Sequence, residues 1–236
     1  MSSFRFKQFT INQQNVPMKV NTDGVLLGAW VDVDNASTIL DVGTGTGVIA
    51  LMMAQRNTFA IIDAVEIDEQ AVLVAQQNAN NSLWGDRISI MGSSFQAFYV
   101  EVDKRYDLIV SNPPFFTNSL KSPFQSRNVS KHADLLPYKE LLEGVSSLLN
   151  KGGVFAGIFP YAESNVFIAL AVSFGLYCRR KTYVYPISGG RIKRVLLELS
   201  KERMVPLESD LAIEERDGNG YTFEYRNLTK DFYLAF

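Results

Sequence analysis

Short β-rich apolar runs alternate with amphipathic stretches through most of the chain, and this alternation limits the fold more than any other feature. Residues 38–42, 59–67, 88–91, 106–110 and 154–159 have the length and composition of buried strands. Between the first two, residues 48–56 carry apolar side chains at 48, 51 and 52, the spacing of one helix face. Residues 69–80 form a second helical stretch behind Asp68, a side chain suited to an N-cap. Residues 138–149 place Leu141, Leu142, Val145, Leu148 and Leu149 on one side and stop at Lys151-Gly152-Gly153, while 164–174 stop at Gly175. Strands separated by helices are βαβ units, so an α/β fold with a mostly parallel sheet is predicted. The end of the chain changes character. Residues 176–185 and 191–200 predict a hairpin through Pro186 to Gly190, and 211–215 with 221–226 predict another across Asp217-Gly218-Asn219-Gly220.

The inventory of reactive side chains is short. With one Cys and one His, the chain has no disulfide framework, no Cys–His zinc site and no Cys–His dyad, so no metal ligands are assigned. Cys178 lies in an apolar run and reads as a buried reduced thiol. The opening residues carry Arg5 and Lys7 but no apolar h-region, and the longest apolar run, 166–178, is shorter than the roughly twenty residues of a membrane span. A cytoplasmic protein without membrane contact is the expectation. A formal net charge of −2 does not describe a polybasic nucleic-acid binder, although it leaves local basic patches open.

What the chain does have is a glycine loop. Asp41-Val42-Gly43-Thr44-Gly45-Thr46-Gly47 follows the first of these strands and opens a helix. Glycines there let the backbone approach a ligand closely. The loop is neither the dinucleotide fingerprint, since Val48 stands where the third glycine belongs, nor a P-loop. An acidic residue at the strand end, G-x-G-x-G, and Glu66 at the end of the next strand remain; Glu66 is placed to accept hydrogen bonds from ribose hydroxyls. These residues resemble the class I S-adenosylmethionine (SAM) methyltransferases over nearly the whole chain. The resemblance implies a Rossmann-like, seven-stranded, mostly parallel sheet with one antiparallel strand, helices on both faces, and SAM across the carboxyl ends of its first strands. It implies Asp41 near the methionine amino group, Gly43, Gly45 and Gly47 making room for the methionyl part, Glu66 on the ribose, and Ser94 at the adenine. One methyltransferase domain over 1–236 follows, with 1–35 covering the cofactor site, 36–200 as the core sheet, and 201–236 as a C-terminal strand hairpin and tail.

The strand at 106–110 runs into Asn112-Pro113-Pro114-Phe115-Phe116. Two prolines stiffen the exit and remove two N–H donors, leaving carbonyls that only accept. Such an element suits a donor target, an NH₂ group conjugated to a ring or carbonyl and therefore weakly nucleophilic. The Asn112 side-chain oxygen and the Pro113 carbonyl could bind both N–H hydrogens and favour a pyramidal nitrogen, with Phe115 stacking on a planar base. Asn112, Pro113, Pro114 and Phe115 resemble the [ND]-P-P-[YF] signature of amino-group methyltransferases. With an activated methyl donor, orientation and electrostatics can supply catalysis without a dedicated nucleophile.

Phe6-Lys7-Gln8-Phe9, the block from Met18 to Trp30, Asn112 to Phe116 and residues 127–136 are similar to the tRNA1(Val) adenine-N6 methyltransferases, which modify adenosine 37. That resemblance implies that Thr22, Asp23 and Gly24 begin a helix covering the cofactor site; the plainer reading is an N-terminal amphipathic helix with Thr22 as an ordinary cap, and both can hold together. A tRNA partner needs cations, and the sequence offers Arg179, Arg180 and Lys181 on one predicted strand, Arg191, Lys193 and Arg194 on its partner, and Arg127 and Lys131 after the Asn-Pro-Pro-Phe element. Arg191 and Lys193, two apart, would share a strand face; a solvated sheet edge is the other reading of these runs. His132, the lone histidine, reads as structural, with the proton of the methylated amine lost to water. Two alternatives remain open: a glutamine N5-methyltransferase acting on release factors, and a non-catalytic SAM- or RNA-binding module.

Overall fold

A computed structural model describes residues 3–114 and 136–236 of the chain. A two-stranded antiparallel ribbon comes first, β1 (Ser3–Arg5) with β2 (Thr10–Asn12), then helix α1 (Thr22–Trp30). The central alternation follows: β3 (Thr38–Val42), α2 (Val48–Arg56), β4 (Ile61–Glu66), α3 (Glu69–Asn80), β5 (Ile88–Gly92), α4 (Phe95–Glu101) and β6 (Tyr106–Ser111). Beyond it lie α5 (Tyr138–Leu148), β7 (Leu149–Pro160), α6 (Tyr161–Val172), β8 (Tyr177–Ile187), β9 (Arg194–Ser200), β10 (Leu207–Glu214) and α7 (Phe223–Thr229).

Strands β3 to β10 form one sheet in the order β10-β8-β9-β7-β6-β3-β4-β5. Only β9 runs against its neighbours, pairing antiparallel with both β7 and β8. The mostly parallel sheet with a single reversed strand is thus the predicted one, but it has eight strands rather than seven. The extra strand is β10, which adds in parallel to β8 from Leu207↔Arg180 to Glu214↔Ile187. The predicted C-terminal strand hairpin is therefore corrected. Glu214 makes a single bridge to Tyr221 and the chain then turns helical, because the Thr222 hydroxyl accepts from the Tyr225 amide at 3.1 Å and caps α7. A second correction concerns Arg191 and Lys193. Strand β9 begins at Arg194, so both lie in the preceding turn and share no strand face.

Alternate residues of the central strands feed two cores. Ile39, Ile62, Leu108 and Ile158 pack on one face with α1 and α2, while Leu40, Val65, Ile109 and Phe155 pack on the other with α4, α5 and α6. Burial on both faces explains why TILDV reads as a continuous run with no polar alternation, apart from its aspartate. The connections β3-α2-β4-α3-β5 build outward on one side of β3, and β6 and β7 build on the other. The strand order therefore reverses beside β3, where open α/β sheets bind ligands beyond the carboxyl ends of their strands. Among the described residues no helix is long and apolar enough to cross a membrane.

Candidate active site

A cleft of about 300 Å³ lies over this switch point, at the small end of the range typical of ligand sites. Its floor is the glycine loop. Gly43, Gly45 and Gly47 have φ of 71°, 58° and 80°, conformations that side-chain-bearing residues rarely adopt. A Cβ on Gly43 or Gly45 would meet no atom within 4 Å, so these two positions face open space, whereas Gly47 faces Ala75 of α3 at 3.5 Å. Gly43 and Gly45 line the cleft. Gly47 instead caps α2 and lets the chain turn into it.

Glu66 stands at the end of β4 and also lines the cleft. Its Oε2 accepts from the Gly45 amide at 2.8 Å, and its Oε1 accepts from the amides of Ile67 and Asp68 at 2.8 and 2.9 Å. A carboxylate has about four acceptor sites, so Glu66 braces the loop and retains capacity for another donor. Asp68 takes the predicted cap position on α3, accepting from Ala71 at 2.8 Å. Ser94 lines the cleft and caps α4, its hydroxyl accepting from the Ala97 amide at 3.1 Å. At the end of β6, Asn112, Pro113 and Pro114 form the opposite wall.

Besides Gly47, three predicted contacts fall elsewhere. Asp41 is fully buried behind the loop and does not line the cleft. Its Oδ2 accepts from the Thr44 hydroxyl at 2.6 Å and the Ala50 amide at 3.2 Å, while Oδ1 has no partner. Burial pushes its carboxyl up to about 7, against the opposing pull of those two hydrogen bonds. Thr22 is not the helix cap: Asn21 holds that position, its side chain accepting from Gly24 at 2.9 Å. Asp23 is paired with Arg194 at 2.8 Å. The start of α1 nevertheless borders the site, since a Cβ on Gly24 would lie 3.8 Å from the Asn112 side chain. Phe115, Arg127, Lys131 and His132 lie outside the described residues.

The cationic strands are largely neutralised within the sheet. Glu198 pairs with Arg180 at 2.6 Å and Arg179 at 3.7 Å, and Glu208 pairs with Lys181 at 2.7 Å. Arg180 also lies over the Trp30 ring at 3.7 Å and donates to the Trp30 carbonyl, so it is a packing residue. Of the six cations predicted on these two strands, only Arg191 and Lys193 are exposed and make no ion pair among the described residues.

Val16, Pro17 and Met18 close one side of the cleft, and nothing in their sequence announces it. Val16 packs on Ala71 and Val74 of α3, and the Asn78 amide group ties this segment to the loop by donating to the carbonyls of both Asn12 and Thr46 at 2.9 Å. Ile67 and Ser93, also in the lining, sit directly after strands and Phe95 opens the helix that follows, positions that the ligand rule for open α/β sheets could have flagged.

The methyltransferase small domain family matches residues 19–155. A tRNA1(Val) (adenine(37)-N6)-methyltransferase of Trichodesmium erythraeum (strain IMS101) is 46% identical over 237 residues, covering 100% of this chain and 99% of that protein. One of the same name from Flavobacterium johnsoniae is 44% identical over 232 residues, covering 98% and 99%. The chain belongs to this methyltransferase family. Its fold agrees with solved methyltransferases at lower identity. A predicted O-methyltransferase from Agrobacterium tumefaciens superposes with a TM-score of 0.71 at 20% identity, covering 89% of this chain and 96% of that one. A ribosomal protein L11 methylase from Lactobacillus delbrueckii subsp. bulgaricus gives 0.54 at 17%, covering 85% and 100%.

This methyltransferase is SAM-dependent, and its cleft fits that cofactor. Backbone at positions 43 and 45 leaves space that any Cβ would fill, Glu66 keeps acceptor capacity at the rim, and Val65, Ala71 and Phe95 supply apolar walls.

Proposed function

We propose that this methyltransferase transfers a methyl group to N6 of an adenine in tRNA, adenosine 37 of tRNA1(Val), in the cytoplasm. The observation that carries the proposal is that Asn112, Pro113 and Pro114 end β6 inside the same cleft as Gly43, Gly45 and Glu66. Full-length similarity to proteins named for this reaction supports the choice of base and RNA.

Gly43 and Gly45 would admit the methionyl part of the cofactor, Glu66 would accept from its ribose hydroxyls, and Ser94 with Phe95 would border its adenine. Asp41 would act from behind, by fixing the Thr44 hydroxyl and the first turn of α2. Bound SAM supplies a methyl group already activated on a sulfonium centre. The Asn112 side-chain oxygen and the Pro113 carbonyl would each accept one hydrogen of the target amine, turning the nitrogen lone pair toward that methyl group. The methylated amine, cationic on transfer, would lose its proton to water, and the thioether left by the sulfonium would be the leaving group. Phe115 would stack on the base, an interaction worth about 1–3 kcal/mol. A loop adenine is already partly unstacked, which lowers the cost of flipping it out.

Tritiated SAM offered with total tRNA, with purified release factor and with no acceptor tests the substrate class. Label in tRNA, mapped to N6-methyladenosine at position 37, is the expected result; label in release factor alone would transfer the assignment to glutamine, and SAM binding without any transfer would make the chain a binding module. Asn112→Ala should abolish transfer while leaving SAM affinity within a few-fold, and unchanged turnover would remove Asn112 from the mechanism.

A further inference from the structure

A second concavity, of about 660 Å³, opens beyond the start of α1. Strands β6, β8 and β10 run parallel to one another, so Ser111, Ile187 and Glu214 all end at one edge of the sheet. The concavity lies at that edge over β8 and β10, and Asn21 and Thr22 form its inner rim. The same α1 terminus borders Asn112, so the two hollows are neighbours across a single turn of helix. From β6 to β10 there are four strand spacings, on the order of 19 Å in total.

The lining is aromatic with polar tips. Tyr225 and Tyr233 form the floor, and Tyr221, 43% exposed, stands at the mouth with its ring 5.2 Å from those of Tyr225 and Phe236. Arg5 lines it from β1, while Arg191 and Lys193 lie outside the lining, in the turn that follows Ile187. All three cations are exposed and make no ion pair among the described residues, unlike those held by Glu198, Glu208 and Asp23. Glu214 contributes a carboxylate to the lining, and its backbone oxygen accepts from the Ser188 amide. Exposed tyrosine beside unpaired cations is the chemistry that holds single-stranded nucleic acid: rings stack on bases, and cations meet the phosphates between them.

We infer that this concavity is a subsite for another nucleotide of the same single-stranded RNA loop, a few positions from the target adenine, with its base stacked on Tyr221 and its phosphate held by Arg5. The inference rests on the RNA substrate proposed above and adds a residue set that fixes the loop beside the reacting base. It gives a chain of net charge −2 a place to grip RNA without the paired cations of β8 and β9.

Tyr221→Ala, Tyr221→Phe and Arg5→Ala test it against a tRNA1(Val) transcript, with Kd read by fluorescence anisotropy and KM by methyl transfer. Tyr221→Ala should raise Kd and KM for the transcript at least about fivefold, Tyr221→Phe should restore both, and the Kd for SAM should not move. Arg5→Ala, a substitution at an exposed ribbon residue, should weaken transcript binding and flatten its salt dependence. Wild-type affinity in both Tyr221→Ala and Arg5→Ala would overturn the subsite while leaving transfer by the wild-type protein intact. Failure of the wild-type protein to methylate tRNA would overturn the RNA substrate, and the subsite with it.

Discussion

Asp41 shows how much chemistry one buried carboxyl can hold. It is 0% exposed, and its Oδ1 has no partner, so ionising it in the folded chain is costly. Its carboxyl is raised from 3.8 to about 7, by burial first and with Glu66 adding to the push. Because the folded value lies above the unfolded one, the native state binds the proton more tightly. The resulting stabilisation is fully present below about pH 4 and is lost as pH rises to about 7, a swing on the order of 4 kcal/mol. Asp41→Asn cannot ionise, so its melting temperature should change less than that of the wild type between about pH 5 and pH 8. Parallel curves in a thermal scan across that range would show that Asp41 does not titrate there. The sequence places this residue correctly, two before Gly43 at the end of a strand. It does not reveal that the carboxylate turns inward onto Thr44 and Ala50, because spacing along a strand does not say what packs behind it.

At the level of elements, the helix α4 is the one that sequence patterning missed and the cleft needs. It spans Phe95–Glu101, with only Phe95 and Phe98 buried, too short for a 3.6-residue period to emerge. The misread segment at 221–226 failed for a different reason. Its Tyr and Phe side chains suit a strand, but the Thr222 cap and Glu224 in the first turn favour a helix. Gly144 in α5 registers the α4 contact. A Cβ there would overlap the Phe95 ring and come within 2.6 Å of Tyr99. Gly→Ala in an exposed helix interior stabilises by about 1 kcal/mol. Here Gly144→Ala should instead destabilise, by about 1–3 kcal/mol, since two aromatic rings must move. Phe95 also lines the cofactor cleft, so the same variant should bind SAM more weakly. Calorimetric titration with SAM and a thermal melt check both; a rise in melting temperature would mean that α4 and α5 are not packed as closely as their rings indicate.

For the whole molecule, a sum of charges hides their placement. Lys and Arg total 23 against 25 Asp and Glu, and the sequence alone could locate cationic runs but not their partners. Those partners come from pairings that sequence order does not predict: β8 meets β9 and β10, so Glu198 and Glu208 face Arg180 and Lys181, while Asp23 crosses from α1 to Arg194. The central strands and the longer helices were legible because local periodicity fixes them, whereas the electrostatic surface depends on long-range register. Salt dependence of RNA binding separates the two populations of cations. Each contact to a single-strand phosphate adds about −0.7 to the slope of log affinity against log salt. Replacing Arg191 and Lys193 together by alanine should therefore make the slope shallower by about 1.4. Replacing Arg179 and Lys181 together should change it less, since Glu208 meets Lys181 and Glu198 is shared by Arg179 and Arg180. Anisotropy titrations of a tRNA1(Val) transcript at several potassium chloride concentrations give both slopes. If the Arg179 and Lys181 pair proves the steeper loss, those ion pairs must open when RNA binds, and the docking face would extend along β8 rather than stop at its turn.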